Sequence, residues 1–209
     1  MIEPTLLNMD CMEYFKTIPD KHFDLVIADP PYGLGDRTMN GGCKKNSQVK
    51  FKKDIVKGWD NNAPTNEYFK ELSRISIHQI IWGGNYFGLP AHRCFIVWDK
   101  MTYVSTMSQV EQAWTSFDSP ARLIKINSNQ LDREHRTQKP IKLYKWLLEN
   151  YAKEGDKILD PMAGSFSSAI AAMEYGFEYV GIEKDKEYFD KAMVRINNYK
   201  AQGKLMFNE

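Results

Sequence analysis

The feature that most constrains this chain is the apolar run Phe23-Asp24-Leu25-Val26-Ile27-Ala28, which leads directly into Asp29-Pro30-Pro31-Tyr32 and then Gly33. The run reads as a buried strand, and the motif as an active site at its end. Two consecutive prolines rigidify the backbone and push the residue before each toward extended conformations. The Asp29 carboxylate and the Pro30 carbonyl are thereby held in one orientation, as a clamp of hydrogen-bond acceptors. Such a clamp suits an exocyclic amino group, which has two N–H donors, and Tyr32 offers a ring on which a flat base can stack. Taken alone, the motif is equally a strand ending in a proline-rich turn.

Around this run, strand and helix patterns alternate as in a doubly wound α/β sheet. Thr5 to Asn8 reads as a strand, followed by Asp10 as N-cap and Glu13 as capping-box partner of a helix to about Thr17. A helix over Thr65 to Arg74 precedes strands at Ile77 to Trp82 and Phe95 to Trp98. Gln109 to Ser116 reads as a further strand, and after a basic stretch Pro140 opens a helix to Tyr151. Lys157 to Asp160, a helix from about Ser165 to Tyr175, Tyr179 to Glu183 and a closing helix to about Lys200 complete the set. Residues 33 to 63, rich in Gly, Lys and Asn, read as a long loop over the site.

The second constellation is Lys157-Ile158-Leu159-Asp160-Pro161-Met162-Ala163-Gly164-Ser165-Phe166, an apolar strand and a small-residue turn that opens a helix. Small residues admit a ligand to the backbone, and a helix N-terminus presents free N–H groups with a partial positive charge. A second strand then ends at Glu183, 23 residues beyond Asp160. A carboxylate there accepts both hydroxyls of a ribose. The pair predicts a nucleotide-like cofactor.

At 209 residues and 43% hydrophobic content the chain can bury a sizeable core as one domain. The three cysteines are scattered, which argues against a zinc site or a disulfide framework and fits a reducing cytoplasm. No apolar run approaches the roughly 18 residues of a membrane span, so a soluble, unprocessed protein is expected. Net charge is only +1, but residues 34 to 58 hold seven basic residues against two acidic ones, and residues 121 to 145 repeat that ratio. Two basic segments on an acidic body point to a polyanion; solvated lysine loops are the plainer alternative. The phosphate contacts expected on this reading are Arg37, Lys44, Lys45, Lys50, Lys52, Lys53, Arg122, Arg133 and Arg136. The histidines His22, His78 and His92 read as ordinary surface or strand-edge residues, and Trp82, Trp98 and Trp114 as core.

With these motifs in this order, the chain resembles the beta-class DNA amino-methyltransferases, particularly the adenine-N6 members, in which the catalytic motif precedes the S-adenosylmethionine motif. The segments that carry the resemblance are Asn8 to Cys11, Phe23 to Tyr32, Thr137-Gln138-Lys139-Pro140, Asp160 to Ser165, and Gly181-Ile182-Glu183. It implies a mostly parallel Rossmann-like sheet with one antiparallel strand and a circularly permuted motif order, forming a single catalytic domain over residues 1 to 209. The basic loop at about 34 to 63 would be an insertion, and residues 117 to 136 a short recognition-like segment. It implies that Asp29, Pro30, Pro31 and Tyr32 bind and orient a flipped base of double-stranded DNA. Glu183 with Lys184 would hold the cofactor ribose, and Asp10 and Cys11 would lie near its adenine. Asp160, Pro161, Ala163, Gly164, Ser165 and Phe166 would form the cofactor turn, with His135, Thr137, Gln138 and Lys139 at the methionine end and Asp29 beside it. No metal is called for, and a homodimer is left open.

Phe166 stands where the family usually has glycine, which predicts a tighter turn or a ring packed on the ligand. Cytosine-N4 transfer is the close rival, since both substrates present an exocyclic amine; Asp at position 29 leans toward adenine by resemblance. A catalytically silent DNA-binding module is the rival from another class.

Overall fold

The computed structural model describes residues 2–34, 62–102, 108–128 and 138–206. Among them, eight strands form one sheet in the order β1-β8-β7-β2-β3-β5-β4-β6. These are β1 (Thr5–Asn8), β2 (Phe23–Ala28), β3 (Ser76–Trp82), β4 (Phe95–Asp99), β5 (Val110–Thr115), β6 (Arg122–Lys125), β7 (Lys157–Asp160) and β8 (Glu178–Glu183). All neighbours pair in parallel except β5, which runs antiparallel to both β3 and β4.

β2 is central because it is apolar on both faces, as a strand covered by helices on each side must be. Its alternate side chains feed different cores. Leu25 and Ile27 join Ile80, Trp82 and Ile158 under α3 (Ile141–Tyr151), α4 (Ser167–Tyr175) and α5 (Lys186–Met206). Val26 and Ala28 join Ile81, Leu159 and Ile182 under α1 (Cys11–Phe15) and α2 (Asn66–Ile75). Leu25 is 1% exposed, so truncation to Ala would cost about 2–5 kcal/mol.

The connections leave β2 and β7 in opposite directions. The chain from β2 passes through α2 to β3 on one side, while β7 passes through α4 to β8 on the other. The carboxyl ends of β2 and β7 therefore flank a topological switch point, where α/β sheets open a crevice. Asp29 follows one of these strands and Asp160 ends the other.

Several expected boundaries move for identifiable reasons. α4 starts at Ser167 rather than Ser165 because Phe166 adopts the left-handed conformation, with φ 55° and ψ 33°. Asp10 caps α1 by accepting from Met12 N at 2.8 Å, but Glu13 pairs with Lys16 at 2.7 Å instead of closing a capping box. β6 lies inside the stretch read only as basic, since one of its four side chains is buried and no alternation shows. The closing helix runs past Lys200 to Met206. Among the described residues no helix is long and apolar enough to cross a membrane.

Candidate active site

The crevice has two halves. On the β2 side, the Asp29 carboxylate is held at both oxygens: Oδ1 accepts from the Tyr32 hydroxyl at 3.0 Å, and Oδ2 meets the Lys139 ammonium at 2.5 Å. Lys139 is 5% exposed and its ammonium lies 5.1 Å from the Trp82 ring centroid. That ammonium also reaches Glu111 Oε2 at 3.2 Å, and Lys100 closes on Glu111 Oε1 at 2.7 Å. Burial alone would lower the Lys139 pKa, but Asp29 and Glu111 outweigh it and hold the lysine above its ordinary range. Burial likewise raises Glu111, yet Lys139 and Lys100 bring its carboxyl below the usual value. Both groups are charged.

Tyr32 is gripped as firmly. Its ring stacks on Tyr86 with centroids 4.9 Å apart and planes 19° from parallel, and meets Phe87 edge-on at 6.2 Å. Gly83, at φ 70°, lies directly against the same ring: a Cβ there would stand 2.3 Å from Tyr32 Cε1. Only glycine satisfies both the backbone angle and the contact. Burial, followed by the charges of Asp29 and Glu111, pushes the Tyr32 phenol well above its usual pKa, so it stays a hydrogen-bond donor.

On the β7–β8 side the polar groups bond largely to backbone. Glu183 Oε2 accepts from Gly164 N at 3.0 Å and Oε1 from Asp185 N at 2.7 Å. The carboxylate thus ties the turn after β7 to the end of β8. Asn8 fastens β1 to the same place by donating to the carbonyls of Glu183 and Lys184 at 2.8 and 3.1 Å. Lys184 pairs with Asp10 at 2.8 Å, so these two predicted residues meet. Burial, reinforced by Asp10, pushes the Cys11 thiol up to about 12, which leaves it an inert packing group. Asp160 is fully enclosed, accepts from Ser168 Oγ at 2.5 Å and from Met162 N at 3.2 Å, and is pushed by burial up to about 7.

Phe166 N donates to Ala163 O at 2.9 Å and closes the turn, while its ring faces away from the crevice. Its ring is 0% exposed and packs edge-on against Phe189 at 5.8 Å. Gly181 makes room for it, since a Cβ on that strand residue would lie 2.7 Å from Phe166 Cε1. The ring is core, and only the Phe166 backbone lines the turn. A left-handed non-glycine residue costs about 1–2 kcal/mol, which burial of a phenyl ring, worth about 1.5–3 kcal/mol, offsets. Pro161 and Ala163 are likewise buried, while Gly164 and Ser165 are partly open.

Lys139, expected at the methionine end of a cofactor, has its ammonium on Asp29, expected beside that end, and on Glu111. Gln138 beside it is 8% exposed, and both of its amide atoms lack hydrogen-bond partners. Each buried, unpaired polar group costs about 1–3 kcal/mol, so Gln138 fits a polar ligand group that completes it. His135 and Thr137 lie outside the described residues, as do Arg37, Lys44, Lys45, Lys50, Lys52, Lys53, Arg133 and Arg136. Arg122 is exposed, but it is the first residue of β6 and pairs with Ile96 near the start of β4. It therefore lies at the sheet edge opposite Asp29, and four strands from β2, about 19 Å across. It does not share the crevice.

Glu111, Lys100, Gly83, Tyr86 and Tyr144 were not singled out from sequence. Glu111 sits in a strand whose alternation explains it as an ordinary polar position. Tyr144, 6% exposed on α3, has its phenol raised first by burial and then by Asp160 and Asp29. The Gly83-Gly84 pair after an apolar strand was the one available signal.

An S-adenosylmethionine-like group is accommodated by this chemistry: a carboxylate at Glu183, an open Gly164 whose missing Cβ meets nothing within 4 Å, and the orphaned Gln138 amide. The type II methyltransferase M.HinfI of Haemophilus influenzae is 24% identical over 253 aligned residues, covering 94% of this chain and 69% of that protein. The DNA adenine methyltransferase YhdJ of Escherichia coli is 23% identical, covering 92% and 82%. The solved M1.HpyAVI–SAM complex superposes with a TM-score of 0.61 at 19% identity over 92% of this chain and all of that one. The cytosine-N4-specific PvuII DNA methyltransferase gives 0.64 at 12% identity over 93% and 86%. Residues 90–194, from the approach to β4 through the turn after β7 and into α5, match the family described as DNA methylase, and the chain belongs to it.

Proposed function

We propose that the protein transfers a methyl group from S-adenosylmethionine to the N6 amine of adenine in DNA. The observation that carries this reading is Asp29, fixed by Tyr32 and Lys139 at the switch point next to the Glu183 half of the crevice. An adenine N6 lone pair is delocalised into the ring and is a poor nucleophile. Acceptors at Asp29 and the Pro30 carbonyl draw its N–H groups into one geometry, which localises the lone pair and aligns it for attack. S-adenosylmethionine supplies the electrophilic methyl group. As the nitrogen gains positive charge, the Asp29 carboxylate stabilises it and is placed to accept its proton.

Glu183 and the amide of Gln138 are the residues that would hold the cofactor, with Asp10 at its adenine end. The exposed Tyr86, backed by the Tyr32 ring on which it stacks, would supply the stacking surface for a flipped base, whose unstacking costs about a few kcal/mol. Lys44, Lys45, Lys50, Lys52, Lys53 and Arg37 would neutralise backbone phosphates along the 34 to 63 insertion.

The relative named for adenine methylation supports N6 as the target. The fold alone does not choose, because the cytosine-N4-specific enzyme shares it. Incubation of the purified protein with DNA and labelled S-adenosylmethionine, followed by nucleoside mass spectrometry, is expected to yield N6-methyladenine. N4-methylcytosine would reassign the target, and no methylated nucleoside on any DNA would overturn the activity.

A further inference from the structure

Glu111 enters the site from β5, the antiparallel strand, which none of the recognised motifs includes. Its carboxylate stands behind Lys139. The Lys139 ammonium lies between two acids, 2.5 Å from Asp29 and 3.2 Å from Glu111, and Lys100 caps the far oxygen of Glu111 at 2.7 Å. The result is a row of alternating charge built from four separate segments: the turn after β2, the residues before α3, β5, and the residue after β4. Its inner members are largely removed from solvent, with side-chain exposures of 4% for Lys139 and 23% for Glu111.

Glu111 Oε2 holds Lys139 in an ion pair at 3.2 Å. A buried ammonium bound to Asp29 alone would concentrate its charge on the carboxylate that has to face a developing cation. A second acid on its other side divides that pull, and fixes where the ammonium stands. Such preorganised charge, in surroundings of low dielectric, is the kind that alters reaction barriers.

We propose that Glu111 is a positioning residue: by holding Lys139 from behind, it fixes the Asp29 carboxylate toward the substrate amine and keeps it net negative there. This rests on the reading that Asp29 acts on an amino group. Among the described residues, the other titratable groups around the row are Tyr32 beside Asp29, Tyr144 on α3 and Asp160 on β7.

Glu111→Gln keeps the shape and removes the charge. With only Asp29 left to oppose burial, the Lys139 ammonium should titrate at lower pH than in the wild type. The readout is NMR of protein carrying isotope-labelled lysine, with the Lys139 signal assigned by its loss in Lys139→Met. Lys100→Met should move the same signal in the opposite direction, because Glu111 then pulls on Lys139 alone; this second variant serves if Glu111→Gln fails to fold. In single-turnover methyl transfer, Glu111→Gln should be slower by about tenfold or more, with DNA and S-adenosylmethionine dissociation constants within about twofold of wild type. Glu111→Asp should recover part of the rate.

An active wild type combined with an unmoved Lys139 titration, or with an undiminished Glu111→Gln rate, overturns the role of Glu111 alone. A wild type that methylates no DNA overturns the proposed activity, and the role of Glu111 in it.

Discussion

The two halves of the crevice are built by different means. The β2 half is a set of side chains brought together from β2, β3, β5 and the residues before α3, locked by ion pairs and ring contacts before any substrate arrives. The β7–β8 half is made mostly of backbone groups within one strand–turn–helix–strand unit, closed by Glu183 on Gly164 and Asp185, and beside Lys139 the Gln138 amide lacks partners. The first is prepared for a reaction in which charge develops and reorganisation is costly. The second is prepared for a ligand that completes its hydrogen bonds.

The sharpest way to break this comparison is Asp29→Ala. Methyl transfer should fall by about 10²–10⁴-fold, while calorimetry shows S-adenosylmethionine binding close to wild type. Loss of cofactor binding with the same substitution would mean that the two halves are one unit.

Asp160 gives the next largest effect, on stability. Its carboxyl moves from 3.8 to about 7 on folding, chiefly through burial. Between these values the folded state keeps the proton that the unfolded state releases, so stability should decline as pH rises from about 4 to 7, by up to about 1.4 kcal/mol per unit. Denaturation midpoints at pH 5 and 7.5 should show this slope in the wild type, and Asp160→Asn should flatten it.

Glu183→Ala should weaken S-adenosylmethionine by about 1.5–3 kcal/mol for each charged hydrogen bond lost, with the single-turnover rate at saturating cofactor nearly unchanged. Unaltered affinity in calorimetry would remove Glu183 from the cofactor half. The smallest effect belongs to Arg122. Its place on the far edge of the sheet predicts no change in the salt dependence of DNA binding for Arg122→Ala. Replacing Lys44, Lys45, Lys52 and Lys53 together should flatten that dependence by about 0.9 in slope per lost phosphate contact.

Most of the fold is legible in the chain itself, because β2, β7 and β8 carry continuous apolar runs and each ends in an acid or a turn signal. The cofactor half is legible for the same reason: Asp160, Gly164 and Glu183 lie on one local unit, so their spacing along the chain already reports their spacing in space. β6 escapes because one buried side chain in four residues makes no pattern.

Phe166 is legible as an anomaly but not as a solution. The need for a left-handed residue is local, whereas the pocket that receives its ring is formed by Gly181 and Phe189 from elements that follow it. What the sequence determined by itself was therefore the order of strands and turns and the identity of the acids at their ends. The tertiary structure alone decided that Lys139 faces Asp29 rather than solvent, that Glu111 stands behind it, and that Gly83 and Tyr86 enclose Tyr32. These contacts join residues tens of positions apart, Glu111 arriving on the antiparallel strand of an otherwise parallel sheet, and no periodicity along the chain encodes a meeting of that kind.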